Sequence, residues 1–133
     1  MSDSAAPLIG LDLVEPRRLQ ARLERTEGLD RELFHPAELT YCERQSDPYQ
    51  HLAARFAAKE AVIKALGIDG WDPLEIEIGG GGEPPVVRLY GDVAARAASL
   101  GVTLTVSLSH VASIAGAVAL AMQTGTLTPE QET

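Results

Sequence analysis

The stretch from Asp47 to Leu66 constrains the fold of this chain more than any other. On a wheel of about 100° per residue, Leu52, Phe56, Ile63 and Leu66 share one apolar sector, and alanines or Val62 fill most of the rest. A helix apolar nearly all round must be buried by neighbours on most sides. Gly67 follows as a natural C-cap. Three ionisable residues interrupt the pattern: Glu60 and Lys64 lie one turn apart on an alanine-lined edge, and Lys59 projects into the apolar sector. Burying such groups costs several kcal/mol unless they are paired or bind a ligand. Periodicity leaves two readings open. One is a Glu60–Lys64 pair with a snorkelling Lys59. The other is a site in which a carboxylate serves a hard cation and two ammonium groups serve phosphate oxygens.

The remaining elements must cover that helix. Leu8 to Val14 is a short apolar run broken by Asp12, and Pro16 suits the first turn of a helix reaching about Arg25. A second helix is expected over Pro36 to Arg44. Leu74 to Ile78 alternates apolar residues with glutamate and predicts a half-buried strand. The glycines 79–82 and Pro84–Pro85 then form the turn of a hairpin whose second strand is Val86 to Tyr90. Asp92 can cap an alanine-rich helix closed by Gly101, and Thr103 to Leu108 alternates as a strand. Ile114 to Met122 reads as a strand with one face of alanines (Ala115, Ala117, Ala119, Ala121) that lets another element pack close. The class is α+β, an antiparallel sheet packed on a long helix. One domain is expected over residues 1–122, followed by a polar, disordered tail over 123–133.

With 133 residues the chain can bury a core without staples, and one cysteine, Cys42, admits no internal disulfide. The amino terminus has no basic segment ahead of an apolar core, and the longest nearly apolar run, Val111 to Met122, is too short for a membrane span. The expectation is a cytoplasmic protein with no membrane contact. A net charge of −8 argues against nucleic acid as a partner. Against that background, Arg17, Arg18, Arg22, Arg25 and Arg31 make a locally basic stretch interleaved with four acids. It is either a solvated, internally paired helix face or a landing surface for an acidic macromolecule. Asp12 is similarly open, as a turn residue or as a partner of Glu60 in the kind of two-carboxylate site that suits Mg²⁺.

Three segments resemble the small bacterial 4′-phosphopantetheinyl transferases, the holo-acyl-carrier-protein synthase family. They are Ile9-Gly10-Leu11-Asp12-Leu13-Val14-Glu15, Arg55-Phe56-Ala57-Ala58-Lys59-Glu60-Ala61-Val62-Ile63-Lys64-Ala65-Leu66-Gly67, and Val106-Ser107-Leu108-Ser109-His110. The second is the most specific, and the resemblance covers about Leu8 to Met122. It implies that Asp12 and Glu60 hold Mg²⁺ beside the pyrophosphate of coenzyme A and that Lys64 contacts the phosphates. It also implies that Arg55, Lys59, Ser109 and His110 line or support the coenzyme A site. Gly82-Glu83-Pro84 matches the family's Gly-x-Pro near the adenosine, with glutamate where lysine is common. Two further departures are a short loop after Gly67 and Val111-Ala112-Ser113 in place of the acidic and aromatic pair that often follows the histidine.

The implied reaction is attack by a serine hydroxyl of an apo acyl carrier protein on the β-phosphate of coenzyme A, releasing adenosine 3′,5′-bisphosphate. Glu60, acting directly or through water, is the candidate base, with Lys64 and Asp12 completing the catalytic set. Family members dock their acidic carriers on the first helix, which implies Arg17, Arg18, Arg22 and Arg25. They form homotrimers with sites at subunit boundaries. The alternative is a non-catalytic carrier- or coenzyme A-binding scaffold of the same fold.

Overall fold

The computed structural model describes residues 8–79 and 84–124. Gly82 and the expected tail beyond Thr124 lie outside the described residues. In chain order the elements are β1 (Leu8–Val14), α1 (Pro16–Arg25), α2 (Leu29–Leu33), α3 (Pro36–Glu43), α4 (Pro48–Leu66), a 3₁₀ turn (Pro73–Glu75), β2 (Ile76–Gly79), β3 (Val86–Leu89), α5 (Gly91–Leu100), β4 (Val102–His110) and β5 (Ala115–Gln123).

Two antiparallel sheets follow from this order. The larger runs β1-β5-β4 and the smaller is the β2-β3 hairpin. Helix α4 packs on β1, β4 and β5, with α1 and α3 also against it. Asp47 caps its start by accepting from the Tyr49 N–H, and Gly67 closes it at φ 66°. The alanine face of β5 meets this helix: Ala117, Ala119 and Ala121 share a core with Ala57, Ala58, Ala61 and Ala65. Alanines on both sides let the backbones come close. At Gly10 the approach is closest. A Cβ there would fall on the Ala61 carbonyl oxygen and lie 2.9 Å from both Ala61 C and Ala65 N.

Among the described residues nothing covers the opposite face of the sheet, which is apolar on β1 and β5 and carries the exposed hydroxyls of Thr103, Thr105 and Ser107 on β4. Ile9, Leu11 and Leu13 of β1 are 57–67% exposed, and Val118 and Met122 of β5 stand out beside them.

Three local expectations change. Leu74 and Glu75 are not strand, because Asp72 accepts from the Leu74 N–H and holds them in the 3₁₀ turn. Only Ile76 and Ile78, both fully buried, keep the strand alternation. Asp92 caps nothing; the first turn of α5 is capped by the Glu75 carboxylate, which accepts from the Val93 N–H at 3.1 Å. The short α2 was not anticipated. Its Leu33 and the following Phe34 are buried in a second core with Leu19, Cys42 and Leu52.

Candidate active site

Strand β1 runs against α4, which brings Asp12 to the helix edge carrying Glu60 and Lys64. Lys64 Nζ donates to Asp12 Oδ1 and to the Leu11 carbonyl, each at 3.0 Å. Its carboxylate partner is therefore Asp12 on the neighbouring strand, so of the two readings that periodicity left open the pair within the helix is replaced by one across elements.

Burial first, then the Asp12 carboxyl, pushes the Glu60 carboxyl up to about 7, against the pull of Lys64. Among the described residues Asp12 Oδ2 is left buried without a donor. Crowded hard oxygens with an unsatisfied lone pair suit a divalent cation. Among the described residues no three His, Cys, Asp or Glu side chains converge. A cation here would rest on two carboxylates, which fits Mg²⁺ completed by water and substrate phosphates.

Glu60 also faces a cavity of about 450 Å³, lined by Leu13, Leu19, Phe56 and Ile114 with Arg18 and Arg22 at its polar side. Arg18 and Arg22 are one turn apart on α1 and line the cavity with Glu60, and Arg25, a turn further on, is exposed to solvent. Arg17 is committed elsewhere, to Asp47 at the start of α4 and to Gln20.

Lys59 is placed apart from this group. It is fully buried, and its ammonium donates to Glu38 Oε1, to the Leu33 carbonyl (both 2.8 Å) and to the Pro73 carbonyl at 3.1 Å. It does not snorkel. With three donors engaged it has no N–H left for a phosphate, so of lining and supporting it can only support. Glu38 also accepts from the His35 and Ile78 N–H groups, and so joins α3, α4 and β2.

A second polar group sits on another side of α4. Arg55 is 6% exposed, with its guanidinium 4.3 Å above the Tyr41 ring. The His110 ring makes an edge contact with His51 at 4.7 Å. Sequence reading found Arg55 and His110 but missed His51, although it lies one turn before Arg55. Ser109 is exposed beside His110, and Pro84 is exposed just before β3. Arg55 and Glu60 are five residues apart, which is about 140° around the helix and about 7.5 Å along it. The sequence-predicted residues thus form two groups on one chain.

A small α+β domain thus brings Glu60 and Lys64 of α4, Asp12 of β1 and Arg18 and Arg22 of α1 to one cleft. The family profile of the 4′-phosphopantetheinyl transferase superfamily matches residues 8–115. The holo-acyl-carrier-protein synthase of Streptomyces avermitilis is 48% identical over 117 residues, covering 85% of this chain and 94% of that one. That of Moorella thermoacetica is 46% identical over 116 residues, covering 84% and 90%. Among solved structures, an acyl-carrier-protein synthase in complex with coenzyme A from Chronobacterium ammoniagenes superposes with a TM-score of 0.77 at 30% identity, covering 89% and 98%. The chain belongs to the 4′-phosphopantetheinyl transferase superfamily, in its holo-acyl-carrier-protein synthase family.

Proposed function

We propose that this chain transfers 4′-phosphopantetheine from coenzyme A to a serine hydroxyl of an apo acyl carrier protein, releasing adenosine 3′,5′-bisphosphate. The observation that carries the reading is the convergence of Asp12, Glu60 and Lys64 at the rim of a cavity walled by Arg18 and Arg22. Asp12 and Glu60 would hold Mg²⁺, whose charge, when bound, helps offset that of the pyrophosphate.

The chain's own groups supply positioning and electrostatics. Lys64, half exposed, can turn from Asp12 towards a phosphate oxygen and balance charge as the P–O bond breaks. Glu60 opens to the cavity from which a carrier serine would approach, so its carboxylate is placed to accept the hydroxyl proton. The exposed Arg18, Arg22 and Arg25 offer fixed cations to an acidic carrier. Arg17, the fourth member of that basic set, braces α1 against α4.

The same reading takes residues 1–122 as one domain, acting in the cytoplasm as a homotrimer. The uncovered face of Ile9, Leu11, Leu13, Val118 and Met122 supports self-association, since contiguous apolar surface of this kind is a mark of an interface. Placement of Arg55 and His110 on another side of α4 from Glu60 supports a site that a neighbouring copy completes. Light scattering should give three subunits; a monomer rejects the assembly.

The deciding experiment incubates the protein with coenzyme A, Mg²⁺ and an apo carrier and weighs the carrier by mass spectrometry. Gain of one phosphopantetheine is the expected result. An unmodified carrier that is still bound identifies a scaffold instead. Glu60→Gln should abolish the gain, and near-normal transfer by that variant would remove Glu60 from both the base and metal roles.

A further inference from the structure

Two buried polar atoms find no hydrogen-bond partner among the described residues, Arg55 Nε and His110 Nδ1. Buried groups are rarely left unpaired, so two in one place call for something that pairs them. Both can act as donors, His110 with the proton on Nδ1 or as the imidazolium. The Arg55 guanidinium lies 4.3 Å over the Tyr41 ring, a cation–π contact that restrains it. His51, one helical turn before Arg55, lays its ring against His110 at 4.7 Å and 64° and against Tyr41 at 6.0 Å and 73°. The site is therefore built from α3, α4 and β4 around one buried guanidinium.

On the reading that this chain uses coenzyme A, we infer that His51 is a further ligand-binding residue, which joins Arg55 and His110 in holding the 3′-phosphomonoester and takes up a proton as that group docks.

The pyrophosphate is claimed by Lys64 on another side of α4, which leaves the monoester as the one anionic group of coenzyme A without a partner on this chain. The groups facing His51 are Tyr41 from α3, His110 from β4, and Arg55 with Asp47 from α4. Without an anion that field disfavours a charged imidazole: burial first, then His110 and Arg55, hold His51 below its ordinary range, against Asp47. A phosphomonoester, whose second pKa is about 6, arrives near neutral pH mostly as a dianion and reverses the field. Protonation of His51 then adds a second cation beside Arg55.

The test is calorimetric titration of adenosine 3′,5′-bisphosphate, in two buffers of different ionisation enthalpy, into the wild type and His51→Phe. Phenylalanine keeps the ring contacts with His110 and Tyr41 and removes the proton site. The expected result is proton uptake by the wild type at pH 7 that drops in the variant, with affinity lower by about tenfold at pH 6 and by less at pH 8. Adenosine 5′-monophosphate, which lacks the 3′-phosphate, should bind both proteins alike. His51→Gln, which keeps a hydrogen-bonding side chain, covers failure of the first variant to fold; it should show the same drop in proton uptake. Unchanged proton uptake and affinity in the variants overturn the inference and leave the transferase reading standing. An equal loss for the monophosphate also overturns it. A wild type that binds neither the bisphosphate nor coenzyme A overturns both.

Discussion

Removing the ammonium of Lys59 isolates the contribution of the buried Glu38–Lys59 pair. Both side chains are fully excluded from solvent. In Lys59→Met the apolar stem is roughly preserved, but the carbonyls of Leu33 and Pro73 lose this donor, and Glu38 Oε1 keeps only the His35 N–H. Breaking one side of a buried ion pair costs about 3–5 kcal/mol, and two stranded carbonyls keep the figure from falling below that range. For a domain of this size, whose whole stability is about 5–15 kcal/mol, the change should lower Tm by about 10–20 °C. The assay is urea unfolding followed by circular dichroism, with a thermal scan beside it. Two controls separate the mechanism from general damage. Acid should return part of the loss, since a protonated Glu38 is cheaper to bury than a stranded carboxylate. Adding Glu38→Gln to Lys59→Met should not deepen it by a second full increment, because the unpaired charge is gone. A single variant within about 1 kcal/mol of wild type, less than the loss ordinarily seen on breaking such a pair, would refute the reasoning.

The other expectations are more local. Gly10→Ala forces β1 off α4 and should destabilise by about 1–3 kcal/mol or more; on the proposal that Asp12 helps hold Mg²⁺, it should also raise the Mg²⁺ concentration that transfer needs, because Asp12 moves with the strand; unchanged stability in urea would contradict the close approach. Cys42, fully buried with its thiol pushed up to about 11 chiefly by burial, should resist disulfide reagents at pH 8 until denaturant is added; rapid labelling of the folded protein counts against its burial. His51 is held below its unfolded value of 6.5. Its contribution is therefore complete above that pH and is lost as pH falls through the folded value, because the unfolded chain takes the proton first. Unfolding measured from pH 8 to 5 should show this slope, and His51→Phe should flatten it. Arg18→Glu should raise KM for the carrier far more than for coenzyme A, an effect that shrinks in high salt; equal changes for both substrates would contradict docking on α1.

Strong periodicity made much of the fold readable. The bounds of β1 and α1, the burial of α4, its Gly67 cap and the alanine face of β5 all follow from residue spacing, and the structure keeps them. What was not readable depends on distant partners. Glu75 looks like an outward strand residue until α5 folds back and uses it as a cap. Lys59 looks like a phosphate ligand until Glu38, 21 residues away, takes its charge. Lys64 looks like Glu60's partner until Asp12 arrives from a strand 52 residues distant. The α2 turn has too few residues for any periodic signal, and Gly28 in the left-handed region starts it. In the candidate site, the helix wheel exposed an expensive cluster, and motif resemblance supplied its chemistry. His51 escaped both, because it carries no charge pattern and lies outside the motif.

The seam between Gly10 and Ala61 has a consequence for how the chain can vary. Asp12 and Glu60 are carried by two backbones already in contact, so no substitution can bring those backbones closer, while added side-chain volume wedges them apart. The seam is a one-way stop on the jaw formed by the two carboxylates. Drift at Gly10 would wedge the jaw open, and on the proposal that Asp12 and Glu60 hold Mg²⁺ it would favour larger cations, so that metal preference would be guarded by a residue that touches no metal.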